Sequence, residues 1–328
     1  MKHQFVILAN DGAPSLITDL GPDGRNPLGS IVLANESRFD GSYLSEPLSQ
    51  YATGWMTSDE AMKLKALLDF MAPECPVARR FEFRTHVNSE SILSETDDIR
   101  AIGSGFKRVE YKGGTTNEKT LNKGLTLVLD KDEMQPGDEE RGVSSLIARL
   151  YRNETRRAAT LLLSIDSGGT NKTWGSSADP DGDVLSAVDS GGDGSGLDPN
   201  RVLYGRAAWL LRRSSYAAQA TAAGFAGLSV RSPEELATAL GVEAILQTSL
   251  RYQSAAATKS KIVGAYVVAF NAQSNLTKDD PSVIKRFITG GAPKVYRQEF
   301  AKTVELSVDH YSNIVGTSTV GCKKLNIS

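Results

Sequence analysis

Residues 136–175, PGDEERGVSSLIARLYRNETRRAATLLLSIDSGGTNKTWG, decide how the rest of the chain reads. Val143, Leu146, Ile147, Leu150, Ala158, Leu161 and Leu162 recur at helical spacing, while Arg141, Arg149, Arg152, Arg156 and Arg157 fall mostly elsewhere on the wheel. That pattern predicts one amphipathic helix of about 25 residues. Pro136 and Asp138 mark its start, and Asp138, Glu139 and Glu140 suit the positive end of its dipole. A glycine-containing loop, Asp166–Asn171, then leaves the helix.

The loop's spelling, Asp-Ser-Gly-Gly-Thr-Asn, is similar to the phosphate loop of sugar kinases of the actin and hexokinase superfamily. In that setting a strand precedes the loop and a hairpin follows it, so that backbone N–H groups can cradle phosphates. Here the loop follows an arginine-bearing helix at mid-chain, and no second phosphate loop or adenosine loop is evident downstream. A sugar kinase using Asp166 and Gly168-Gly169-Thr170 is therefore the alternative reading, behind a structural one.

Bulk composition narrows the classes. At 328 residues the chain can bury a large core. Its 37 basic and 39 acidic residues give a net charge of −2, without the basic excess of a free-standing nucleic-acid binder. Two distant cysteines, Cys75 and Cys322, form no disulfide framework and fit a reducing cytosol. The apolar run after the first residues is shorter than the roughly 7–15 residues of a signal-peptide core. No run approaches the ~20 residues of a membrane span.

Working outward, residues 1 to about 55 are dense in Gly, Pro, Asn, Asp and Ser, and read as an extended arm with short strands. SDEAMKLKALLDFMAP predicts a helix capped by Ser58 or Asp59 and stopped by Pro73. RFEFRTHV alternates Phe81, Phe83 and Val87 against polar residues, as a half-buried strand does. GFKRVEYK and KGLTLVLD read as two strands of a long excursion joined by GGTTNEKTLN. Such a ribbon is marginal alone in water and needs something to lie on.

Beyond the long helix, Asp166–Asn200 reads as loop with a short helix near DVLSAV. RVLYG is a strand leading into the helix RAAWLLRRSSY. Ser232, Pro233 and Glu235 spell a capping box at a helix that Gly241 ends, and EAILQTS follows as a strand. KIVGAYVVAF is a buried strand, and TVELSVDHY alternates Val304, Leu306 and Val308 against Glu305, Ser307 and Asp309.

Nothing else in the sequence spells a catalytic or metal site. DPDGD (179–183) and SGGDGSGLD (190–198) lack the terminal Glu of an EF-hand loop and read as solvated loops. His3, His86 and His310 form no Cys/His cluster, and His86 and His310 fall on polar strand faces where solvation is expected. The catalytic, cofactor and metal residue sets are each read as none.

Taken in order, these elements resemble the major capsid protein of tailed bacteriophages, a fold shared with encapsulins. KTLNKGLTLVLDKDE (119–133) resembles the descending strand of the family's extended loop, the E-loop. DEERGVSSLIARLYRNETRRAATLL resembles its spine helix, and TWGSSADPDGDVLSAV the segment after the spine, where a Trp precedes Asp-Pro. DPNRVLYGRAAWLLRR and SPEELATALGVEAILQTSLRYQS resemble parts of its axial domain, and VYRQEFAKTVELSVDHYSNIVG the return to its peripheral domain.

The resemblance implies an α+β fold with an N-terminal arm and short helix over 1–78, and an E-loop with flanking strands over 79–134. It implies a peripheral domain with the spine helix over 135–197, a mixed α/β axial domain over 198–280, and a return to the peripheral domain over 281–328. It further implies self-assembly into pentamers and hexamers of an icosahedral shell around double-stranded DNA, held weakly and without sequence preference on the inner face. A separate scaffolding protein and a portal are expected partners, a decoration protein is left open, the virion is the expected location, and the host cytoplasm is the expected place of assembly. An encapsulin-like compartment shell is the related alternative. Lys107, Arg108, Glu110, Lys112, Lys119, Lys123, Arg149, Arg152 and Arg156 are the expected assembly-interface residues. Some relatives crosslink a loop Lys to an Asn; Lys107, Lys112, Lys119, Lys123 and Asn313 are present, but no crosslink is expected.

Overall fold

The computed structural model describes residues 5–8, 14–17, 43–85, 99, 105, 114–219, 225–255, 257–273 and 276–328. A short antiparallel ribbon of β1 (Phe5–Leu8) and β2 (Pro14–Ile17) stands at the N-terminus. Two helices follow, α1 (Glu46–Trp55) and α2 (Asp59–Met71). Ser58 caps α2, as its sequence predicts, by accepting a hydrogen bond from the Ala61 N–H. Helix α1 is not foreseen in the turn-rich reading of this region. Ser45 caps it in the same way and Pro47 sits in its first turn, a start signal masked by the surrounding Gly and Pro.

Next come β3 (Glu74–Pro76), β4 (Arg80–Thr85), β5 (Gly114–Lys119) and β6 (Leu121–Asp130). The expected joining turn, GGTTNEKTLN, is instead mostly strand: β5 pairs antiparallel with β4, from Arg80↔Lys119 to Thr85↔Gly114. Thr115 and Thr116 are β-branched and favour that extended backbone. The strand expected at GFKRVEYK lies outside the described residues, apart from Gly105.

The long helix is α3 (Asp138–Ile165), 28 residues or about 42 Å, entered through Gly137 at φ +90°. After β7 (Thr170–Lys172) comes α4 (Pro180–Ser195), a 16-residue helix that extends the short helix expected near DVLSAV through the glycines expected as loop. Its C-terminal glycines, Gly191, Gly192 and Gly194, spell a loop although they are helical. A Cβ on Gly191 would lie 2.6 Å from the Pro199 ring, so the bare backbone lets the following loop pack against the helix.

β8 (Arg201–Gly205) runs into α5 (Arg206–Ala218), followed by α6 (Phe225–Val230) and α7 (Pro233–Leu240). The capping box at Ser232 and Glu235 is complete, and Gly241 ends α7 at φ +69°. The strands β9 (Ala244–Thr248), β10 (Arg251–Ala255), β11 (Thr258–Lys261), β12 (Tyr266–Phe270), β13 (Ile284–Glu299), β14 (Thr303–Gly316) and β15 (Cys322–Ile327) complete the fold.

Two sheets organise these elements. The first has the order β7-β15-β12-β8-β9, mixed parallel and antiparallel; the second has the order β3-β13-β14-β6. The C-terminal segment therefore divides, with β13 and β14 in the second sheet and β15 in the first. One face of the first sheet (Val202, Tyr204, Val267, Ala269, Leu325) packs under α4, α5 and α7. Its other face (Leu203, Val268, Phe270) packs on α2 and the C-terminal half of α3.

The N-terminal half of α3 (Val143, Leu146, Ile147, Leu150) packs instead on the second sheet and α1. Val304, Leu306 and Val308 are fully buried there, as their alternation predicts. The approach is close: a Cβ on Gly142 would lie 2.9 Å from Leu127 Cδ2. Among the described residues no helix is long and apolar enough to cross a membrane.

Candidate assembly surface

The Asp166 loop is committed to the fold. Helix α3 runs unbroken to Ile165, so no strand leads into the loop. Asp166 Oδ1 accepts the Gly169 N–H at 3.1 Å, and Oδ2 accepts the Lys324 N–H at 2.9 Å. Lys324 Nζ donates to the Leu163 and Ser167 carbonyls, filling acceptors that the end of α3 leaves open. Gly169 adopts φ +60°, and a Cβ there would meet Lys324 Cε at 2.8 Å. Thr170–Lys172 then pairs in parallel with β15. The carboxylate and glycines that spell a phosphate loop serve here to close a helix onto a strand.

The aspartates after the loop are also engaged. Asp179 Oδ1 accepts from the Gly182 N–H and the Tyr216 hydroxyl, Asp181 accepts from Nε and Nη2 of the buried Arg212, and Asp183 accepts from the Trp174 indole and pairs with Lys172. They tie α4 to α5 and to β7.

Midway along α3, Glu154 is turned into the core and gathers an ion cluster. Its Oε1 receives Lys123 Nζ at 2.7 Å, His310 Nε2 lies at 3.3 Å, and the Ser312 hydroxyl also donates to it. Arg286 Nη1 lies 3.8 Å from Oε2, and its other arm pairs with Asp69 and Glu74. Burial alone would raise the Glu154 carboxyl. The His310 hydrogen bond and the Lys123 charge outweigh it, holding the group well below the usual carboxylate range. One cluster thus joins α2, α3, β3, β6, β13 and β14. His310, expected in solvent, is a member of it, because Glu154 offers a buried acceptor that strand alternation cannot reveal.

The opposite face of α3 is exposed and basic. Arg149, Arg152, Arg156 and Arg157 are all exposed, and among the described residues none forms an ion pair. Arg156 lies over the Tyr252 ring at 4.0 Å. Of the expected interface residues, Arg149, Arg152, Arg156 and Lys119 are thus at the surface. Lys123 is a correction: its ammonium is spent inside the chain on Glu154. Lys107, Arg108, Glu110 and Lys112 lie outside the described residues, in the segment that leaves the β4–β5 ribbon at Thr85 and returns at Gly114.

No protein-family model matches the sequence, and no curated protein matches it. Solved structures do. A phage-related protein from Bordetella bronchiseptica RB50 is similar at 18% identity and TM-score 0.62, over 86% of this chain and 96% of that one. A protein of Microbacterium phage Oxtober96 is similar at 12% identity and TM-score 0.50, over 80% and 91%. The bacteriophage PhiM1 mature capsid gives 12% identity and TM-score 0.46, over 80% and 86%. The chain shares its α+β fold with the first two of these proteins over most of their length.

Proposed function

We propose that this chain is a structural subunit that assembles into the icosahedral shell of a tailed phage. Its pentamers and hexamers enclose double-stranded DNA, and it has no catalytic role. The observation that carries this reading is the fold likeness to a phage-related protein, which extends over nearly the whole of both chains. The arginine face of α3 around Arg149, Arg152 and Arg156, without an ion-pair partner among the described residues, supplies a surface suited to neighbouring copies. On this reading residues 79–134 hold the E-loop, 198–280 the axial domain, and Lys119, Arg149, Arg152 and Arg156 part of the contact surface. Contacts that are individually modest become cooperative when many copies repeat them. On this reading a separate scaffolding protein and a portal complete the particle, which is assembled in the host cytoplasm. Size-exclusion chromatography of the chain, with negative-stain microscopy of the leading peak, tests the reading. Hollow particles or five- and six-membered rings support it, and the particle contents separate a DNA-filled head from a cargo compartment. Sugar-dependent ATP hydrolysis by the purified chain would sink it.

A further inference from the structure

The charges on α4 and α5 divide by direction. Those facing inward are matched within the chain: Arg212 with Asp181, and Asp183 with Lys172. Those facing outward are not. Asp189 and Asp193 on α4, and Arg206 and Arg213 on α5, are exposed, and among the described residues none of the four has an ion-pair partner. Each set lies along one exposed stripe with a large apolar side chain. Leu185, 49% exposed, precedes Asp189 and Asp193 at four-residue intervals on α4. Leu210, 46% exposed, sits between Arg206 and Arg213 on α5. Residues three or four apart share a helix face, so both stripes are continuous.

We infer that these stripes are the two halves of one contact between copies of this chain, the acidic α4 stripe of one copy seated on the basic α5 stripe of the next. Either stripe placed on itself would set like charges together, which excludes a symmetric pairing through one stripe alone. Acidic on basic joins two different patches of the same molecule, as the head-to-tail arrangement that closes into rings requires. The apolar contact between Leu185 and Leu210 removes surface from water, while the flanking charges set register and select the partner. The inference deepens the shell reading and rests on it, by naming which helices meet around a ring.

Three full-length variants test the contact: D189K/D193K, R206E/R213E, and the fourfold exchange carrying both pairs. Self-association of the wild-type chain, measured by sedimentation velocity at low and moderate salt, should be salt-sensitive. Each double reversal should weaken it about tenfold or more, and the fourfold exchange should recover it. Mixing the two double reversals should restore even-membered rings but not odd ones, because complementary copies must alternate. Circular dichroism melts should coincide for all four proteins, since the substituted residues are exposed. Wild-type shells with double reversals that assemble unchanged would overturn the contact and leave the shell reading standing. A fourfold exchange as defective as the double reversals would also overturn it. Salt-sensitive association that responds to the reversals, without shells, would uphold the contact and count against the shell.

Discussion

Glu154 on α3 and Lys123 on β6 meet at 2.7 Å with side chains only 2% and 12% exposed, so the long helix is pinned to the second sheet by a charge pair inside the protein. Removing the carboxylate strands Lys123 beside His310 and Arg286. Glu154→Gln should therefore cost about 3–5 kcal/mol at neutral pH. The folded carboxyl is held below its unfolded value, so its stabilisation is fully present above about pH 4.3 and is lost as pH falls through the folded value. Urea denaturation of both proteins across an acid series should show the gap greatest near pH 7 and closing only in strong acid. A gap independent of pH would contradict the assignment.

Thr85 and Gly114 are paired neighbours at the end of the β4–β5 ribbon. Replacing residues 86–113 with Asn-Gly should leave a closed hairpin, since that dipeptide favours the required tight turn. The variant should melt within a few degrees of the wild type. Particle formation, scored by negative stain, should be lost if the excursion holds neighbouring copies together.

Cys75 and Cys322 are free and buried. Burial pushes both thiols up, Cys322 to about 12. Thiolate is the reactive form. Ellman's reagent at pH 8 should label neither cysteine in the native protein and both after denaturation.

Asp166→Ala removes the acceptor for two backbone N–H groups, those of Gly169 and Lys324. It should lower stability by about 1–3 kcal/mol, measured by denaturant titration, while particles still form. A kinase would instead lose its phosphotransfer activity with its stability little changed.

How far the sequence discloses this structure depends on whether the signal is local. Periodicity and caps announce α3, α2 and α7, because the apolar spacing and the residues Ser58, Ser232 and Gly241 act within a turn of themselves. The glycine-rich C-terminal half of α4 reads as loop, since only the contact of Gly191 with Pro199 reveals why glycine is wanted there. The strand at Gly114–Lys119 is decided by a partner about thirty residues earlier in the chain, which a local reading does not weigh. The partnership of Glu154 with Lys123 and His310 joins three distant segments, and no spacing rule connects them. Arg149, Arg152, Arg156 and Arg157 are legible as a polar face, but not as one without counter-ions among the described residues.

Helix α3 is a wall of two separate cores, its first half against one sheet and its second half against the other. A hinge between those cores would have to break a helix about 42 Å long at the turn where Glu154 is anchored. The chain therefore resists bending between its two cores. Under the proposed shell reading, a difference in angle between five-membered and six-membered rings has to be taken up at the seams between copies.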